Sequence, residues 1–142
     1  MGDLVMTAAE LEAFLHSHMP AGPTAYRVER SDLDGLLIRA PFHDGQLRPG
    51  GTVSGPTLMA LADAAAWLVT LARIGPVELA VTSSLTIAFL AKPEPTDVLA
   101  HATLLRLGRR QSVSEVRLWS DGGTPDEPVA HATVTYAIPT PR

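Results

Sequence analysis

The run from Thr57 to Arg73 is almost entirely Ala, Leu, Met, Val and Trp, and it is punctuated at both ends. Ser54 or Gly55 fits the N-cap, Pro56 fits the first helical position, where no N–H is needed, and Gly75-Pro76 supplies a stop. This pattern predicts one long helix with no polar face of ordinary width, covered nearly all round. A single carboxylate, Asp63, interrupts it. At helical spacing Pro56, Met59, Ala60, Asp63, Ala66, Trp67 and Thr70 fall on one stripe.

The flanking segments show other periods. Thr7-Ala8-Ala9-Glu10 has the capping-box spacing, and Leu11, Phe14 and Leu15 follow at helical intervals, which predicts a short amphipathic helix from Ala8 to about His18 that serves as a lid or a packing element. His16 and His18 are two apart and point to different sides, as solvated histidines rather than a metal pair. The stretch from Pro20 to Pro23 ends that helix. Tyr26 to Arg30 and Leu36 to Ala40 then flank the polar turn from Ser31 to Gly35 as a hairpin. From Leu79 to Leu90, Val81, Leu85, Ile87 and Phe89 alternate with Thr82, Ser84, Thr86 and Ala88, the pattern of a half-buried strand. Strands from about Val98 to Leu107, Ser112 to Ser120 and Pro128 to Ala137 complete the chain. The tetrapeptide Ala-His-Ala-Thr occurs at 100–103 and 130–133, which fits two strands of one sheet and is too short for a duplication. The predicted order is helix, two strands, a long central helix and four strands: an α+β domain whose antiparallel sheet wraps the helix. A single domain is expected, with 1–22 as the N-terminal helix and linker and 24–138 as the core.

Composition narrows the functional classes. The chain has 142 residues, 46% of them hydrophobic, enough apolar material for one core. Its net charge of -4, with no run of like charges, disfavours nucleic acid and a polybasic membrane contact. The absence of cysteine excludes disulfides, a thiolate nucleophile and Cys-ligated metal, and is compatible with a reducing cytoplasm. Acidic Asp3 stands where an export signal carries base. The central helix approaches membrane-spanning length, but Asp63 would cost about 2.5–3.5 kcal/mol at the middle of a bilayer, so no membrane span is expected.

Burying an unpartnered carboxylate costs several kcal/mol, so Asp63 is either hydrogen-bonded in a core or interface or held poorly solvated for chemistry; composition leaves both open. No Ser-His-Asp set, phosphate-binding glycine loop or metal-ligand spacing occurs, so neither cofactor nor metal is expected.

The residues around the helix start carry a family resemblance. Pro49, Gly51, Val53 and Gly55, with Leu61-Ala62-Asp63 following, match the pattern Asn-Pro-x-Gly-x-Val-His-Gly-Gly and Leu-Ala-Asp of hotdog-fold acyl-CoA thioesterases of the phenylacetic acid degradation type. The strand Ala80 to Leu90 and the basic turn Gly108-Arg109-Arg110 resemble later segments, so the likeness spans about Leu36 to Ala137. Arg48 replaces the usual Asn, Ser54 the usual His and Pro56 the second Gly. The resemblance implies a hotdog fold, an acyl-CoA substrate and no cofactor. It makes Asp63 the nucleophile or general base and gives Gly55, through its N–H, the role of oxyanion donor. A helix N-terminus independently offers unpaired N–H groups and partial positive charge for that second role; the plainer reading of Gly55 is a helix-start residue.

Gly55 and Asp63 are eight residues apart, about 12 Å along one helix, so they cannot touch the same carbonyl. If both serve one thioester, each must meet its counterpart from an antiparallel copy. A homodimer is therefore expected, with a homotetramer also open, and the resemblance to the hotdog fold suggests the strand at Leu79 to Leu90 as the edge that pairs with its twin. Thr82, Ser83 and Ser84 are candidates to hydrogen-bond substrate, against the alternative that Ser and Thr are ordinary edge-strand residues. Arg48, Arg109 and Arg110 are candidates for the phosphates of coenzyme A, against solvated turn residues or, for Arg48, an ion pair that quenches Asp63. The leading function is acyl-CoA thioester hydrolysis. The alternatives are a non-hydrolytic acyl or acyl-CoA binding dimer and a hydratase or dehydratase of the same fold, the last disfavoured by the missing His at the helix mouth.

Overall fold

The computed structural model describes residues 1–19 and 22–140. The expected helix break at Pro20 lies outside the described residues. In chain order the elements are α1 (Ala8–His18), β1 (Arg27–Asp32), β2 (Gly35–Ala40), a 3-10 turn (Asp44–Gln46), β3 (Leu47–Arg48), β4 (Thr52–Val53), α2 (Gly55–Ile74), β5 (Val81–Phe89), β6 (Val98–Leu107), β7 (Gln111–Ser120) and β8 (Ala130–Ala137). Six strands form one antiparallel sheet in the order β1-β2-β6-β7-β8-β5, and it wraps α2. This is the predicted architecture.

Small side chains make the wrapping possible. Ala62, Ala65, Ala66 and Ala72 of α2 are buried, as are Ala100 and Ala102 of β6 and Ala130 and Ala132 of β8. A ridge of methyl groups lets a helix lie close to a sheet, and Leu61, Leu68 and Leu71 fill the remaining space against Leu36, Ile38, Val116 and Leu118. The repeated Ala-His-Ala-Thr therefore has a packing cause: its alanines are the positions beneath α2. Although α2 is long and apolar enough to cross a membrane, 61% of its most apolar window is buried inside the fold. It is the core helix.

The caps form as the sequence predicts. Thr7 and Glu10 complete the capping box of α1, Ser54 caps α2, and Gly75, at φ +94°, ends it. Helix α1 is a packing element: Leu11 and Leu15 join the core, and the Phe14 ring lies 5.3 Å from that of Trp67. Its histidines are engaged rather than merely solvated. His16 Nε2 lies 2.7 Å from the Tyr26 carbonyl, and His18 packs 4.3 Å from Phe14 and pairs with Glu78 at 3.2 Å.

Two expectations need correction. Helix α2 is not covered nearly all round, because Pro56, Met59 and Ala60 are exposed and Asp63 and Trp67 are half-buried, leaving an open strip along its N-terminal half. The strict alternation of β5 also fails. Thr82 pairs with Tyr136 but Ser84 pairs with Thr135, so Ser83 is a bulge. Thr82 thereby joins Leu85 and Ile87 on the face toward α2, and Val81 turns outward.

At the β1–β2 turn, Gly35 has φ +136°, and a β-carbon there would lie 2.2 Å from the Ala102 carbonyl oxygen. Gly35→Ala should cost at least about 2 kcal/mol, from left-handed strain together with that clash. Chemical denaturation of the variant beside wild type measures it.

Candidate functional site

Asp63 projects from the middle of α2 toward the edge where β8 meets β5. Thr82 Oγ1 donates to Asp63 Oδ1 at 2.6 Å, and Tyr136 Oη donates to the same oxygen at 2.8 Å, with the Asp63 carbonyl as a second acceptor at 3.1 Å. Among the described residues no donor reaches Oδ2, and no cation pairs with the carboxylate. Burial holds the Tyr136 phenol well above the ordinary tyrosine range; Thr82 opposes this and the Asp63 charge reinforces it. Tyr136 is thus a protonated donor at any working pH. Burial, and then the same charge, also raise Tyr26.

Gly55 stands at the other end of the open strip. Its neighbour Ser54 is occupied as the cap, with Oγ 2.8 Å from Thr57 Oγ1 and 3.4 Å from the Thr57 backbone N–H, while the Ser54 N–H donates to the Gln46 carbonyl at 2.7 Å. A cavity of about 330 Å³ opens at this helix start, lined by Arg48, Val53, Gly55, Leu58, Phe89 and Lys92 among others. Phe89 lies over Gly55, where a β-carbon would meet its ring at 3.2 Å. A second cavity, of about 190 Å³, lies around Ser31, Arg73 and Thr103 and touches neither Gly55 nor Asp63.

Strand β5 connects the two ends. Thr82 at its start touches Asp63, and Phe89 at its finish touches Gly55, so β5 runs antiparallel to α2 along the open strip. It is also one of the two edge strands of the sheet. Met59, Leu79, Val81, Phe89 and Leu90, all exposed, belong to this strip or to β5 and its ends. In a single chain the cavity at Gly55 does not include Asp63.

The remaining candidates divide by position. Ser83 occupies the bulge, 3.4 Å from the Thr135 carbonyl, and Ser84 turns away from α2, so of the three only Thr82 reaches Asp63. Arg48 is exposed beside the Gly55 cavity and forms no ion pair with Asp63. Arg109 and Arg110 are exposed in the turn between β6 and β7, at the sheet end that carries Thr82 and Tyr136. Tyr136 and Lys92 were not anticipated from the sequence. The signal for Tyr136 was a buried-strand position bearing a hydroxyl, a residue that usually finds a polar partner when buried.

The thioesterase superfamily model matches residues 50–127, more than half of the chain. The chain belongs to the thioesterase superfamily. Among solved structures, one from Silicibacter sp. TM1040, provisionally described as a thioesterase, is 37% identical over 97% of this chain and 95% of that chain, with a TM-score of 0.87. A thioesterase from Haemophilus influenzae is 18% identical over 96% and 92%, TM-score 0.81. A mutant thioesterase from Pseudomonas aeruginosa is 22% identical over 96% of each chain, also at 0.81. These last two show the fold alone. No curated protein matches. The sheet wrapped on one central helix is the hotdog fold of this superfamily.

Because the Ser54 hydroxyl is consumed by the cap, Ser54→Ala should cost about 1 kcal/mol of stability. Ser54→His, which installs the histidine of the pattern that the sequence resembles, should fold and hold or raise turnover. Paired melts and thioester assays read both, and an Ser54→Ala variant with full stability but little activity would give the hydroxyl a direct role instead.

Proposed function

We propose that this superfamily member hydrolyses an acyl-CoA thioester, in the manner of the phenylacetic acid degradation type, at a site shared by two subunits. The observation that carries this reading is the Asp63 carboxylate, half-exposed on an otherwise apolar strip, oriented by hydroxyls and unpaired with any described cation. A structural carboxylate gains most from full satisfaction, and no described residue donates to the second oxygen of this one.

In the proposed reaction Asp63 takes a proton from water while the water oxygen bonds to the thioester carbon. The charge on the carbonyl oxygen falls at the N–H of Gly55 of the partner subunit. Collapse restores the carbonyl, breaks the carbon–sulfur bond and returns the Asp63 proton to the departing thiolate. Direct attack by the carboxylate, with an anhydride that water then opens, uses the same geometry and the same products. Arg48, with Lys92, at the Gly55 cavity and Arg109 and Arg110 at the opposite end are suited to the phosphates of coenzyme A. Ser83 and Ser84, on the bulge and outer face of β5, have no contact with Asp63, so a role for them requires substrate running along the edge strand.

This reading requires a dimer. Pairing β5 with its twin about a two-fold axis covers the exposed apolar residues of the strip and brings Gly55 of the partner subunit toward Asp63. Sedimentation should find a dimer, or a dimer of dimers, at assay concentration; a stable monomer with full activity would refute the shared site.

Asp63→Asn retains the oxygen that accepts from Thr82 and Tyr136 but removes the charge. It should lower thioester hydrolysis by roughly a hundredfold or more, leave acyl-CoA binding measurable, and leave the thermal midpoint unchanged or higher. Thiol release over a panel of acyl-CoAs, with melts for both proteins, decides the matter. Unaltered hydrolysis by folded Asp63→Asn removes Asp63 from the mechanism, and binding without turnover in wild type makes the protein a non-hydrolytic acyl-CoA binder.

A further inference from the structure

The two oxygens of the Asp63 carboxylate are not equivalent. Oδ1 receives Thr82 Oγ1 at 2.6 Å and Tyr136 Oη at 2.8 Å, two hydroxyls from neighbouring strands, while Oδ2 receives none from the described residues. Each hydroxyl has one proton, and an ionised carboxylate has no proton to give, so both must donate. Tyr136 has the Asp63 carbonyl as an alternative acceptor, but the carboxylate is nearer and carries the charge.

The backbone is shaped to this contact. On β8 the residues facing α2 are Tyr136, Val134, Ala132 and Ala130, all buried. Counting back from the inward Leu85 on a regular strand would put Ser83 and Val81 toward the helix and turn Thr82 outward. The bulge at Ser83 reverses that: Thr82 pairs with Tyr136, Leu85 with Val134 and Ile87 with Ala132. One extra residue thus sets Thr82 beside Asp63, at the place opposite Tyr136 where unbroken pairing would set Ser83.

We propose that Tyr136 and Thr82 are positioning residues that occupy Oδ1 of Asp63, fix its side-chain rotation and leave Oδ2 as the oxygen that takes the proton from water or attacks the thioester. The assignment rests on the reading of Asp63 as the reacting carboxylate. Neither hydroxyl is asked to touch substrate. Both lie on the α2 side of the β5–β8 pair, so they act through Asp63. Such a pair works by orientation. A carboxylate that rotates freely presents the wrong oxygen, or the wrong direction, for part of the time, and misplacement of a reacting group by an ångström is worth up to roughly a hundredfold in rate.

The test compares Tyr136→Phe, Thr82→Val, Thr82→Ser and Asp63→Asn with wild type, measuring kcat and KM for the best acyl-CoA of the panel together with melting and sedimentation. Tyr136→Phe and Thr82→Val should each lower kcat about tenfold or more, with KM within about threefold of wild type and the assembly intact, and Thr82→Ser should recover most of the loss. A merely structural pair would lower the amount of folded protein without splitting kcat from KM, and its valine and serine variants would not differ in kcat per folded molecule. The proposal is overturned if Thr82→Val keeps kcat within twofold of wild type, or if Thr82→Ser is as impaired as Thr82→Val. Thr82 is not part of the buried core of the single chain and sedimentation checks that its variants keep the assembly, so they decide the question even if Tyr136→Phe fails to fold. If Asp63→Asn is inactive and the hydroxyl variants are normal, the positioning role falls and the catalytic reading stands; if Asp63→Asn is fully active, both fall.

Discussion

The close contact between α2 and the alanines of β6 and β8 is the constraint on which the rest of the molecule depends. An apolar helix of this length is stable only where it is enclosed, and it can be enclosed by a single layer only if the sheet curls and the contact residues are small. Ala62, Ala65 and Ala66 against Ala100, Ala102, Ala130 and Ala132 meet that requirement. The enclosure is incomplete along one strip, where the sheet ends at β5. Asp63, Thr82 and Gly55 lie along that opening.

At the opening the polar residues divide the labour. Ser54 is used locally, capping the helix, so its hydroxyl goes into structure rather than into a pocket. Arg48 is exposed at the cavity mouth and does not pair with Asp63, which has no cationic partner among the described residues. Asp63 takes its orientation from Thr82 and Tyr136, side chains that come from the sheet edge and not from the helix start. Neither Arg48 nor Ser54 hydrogen-bonds the Asp63 carboxylate, whose described partners come from β5 and β8.

Much of this was legible in the sequence, for reasons that can be stated residue by residue. Caps are local chemistry: Thr7 with Glu10, Ser54 with Thr57 and the stop at Gly75 all act within a few residues, and each forms as the spacing predicts. The strands β2, β6, β7 and β8 followed from the polar, glycine- and proline-bearing turns that bound them, which are local signals. The two-residue strands β3 and β4 were missed because so short a pairing has no period to detect.

The sequence by itself determined that one apolar helix must be wrapped by an antiparallel sheet, and that a lone carboxylate would sit within it. Only the tertiary structure decided how that carboxylate is held. Tyr136 is 73 residues from Asp63, and no local pattern relates them. The bulge at Ser83 breaks the period-two rule that assigned Val81 to the helix face, and its cause is the register with β8, which exists only once the sheet is assembled. The open strip was hidden for the same reason: hydrophobic periodicity marks which residues avoid water, but where the sheet stops short of the helix is set by the strand order.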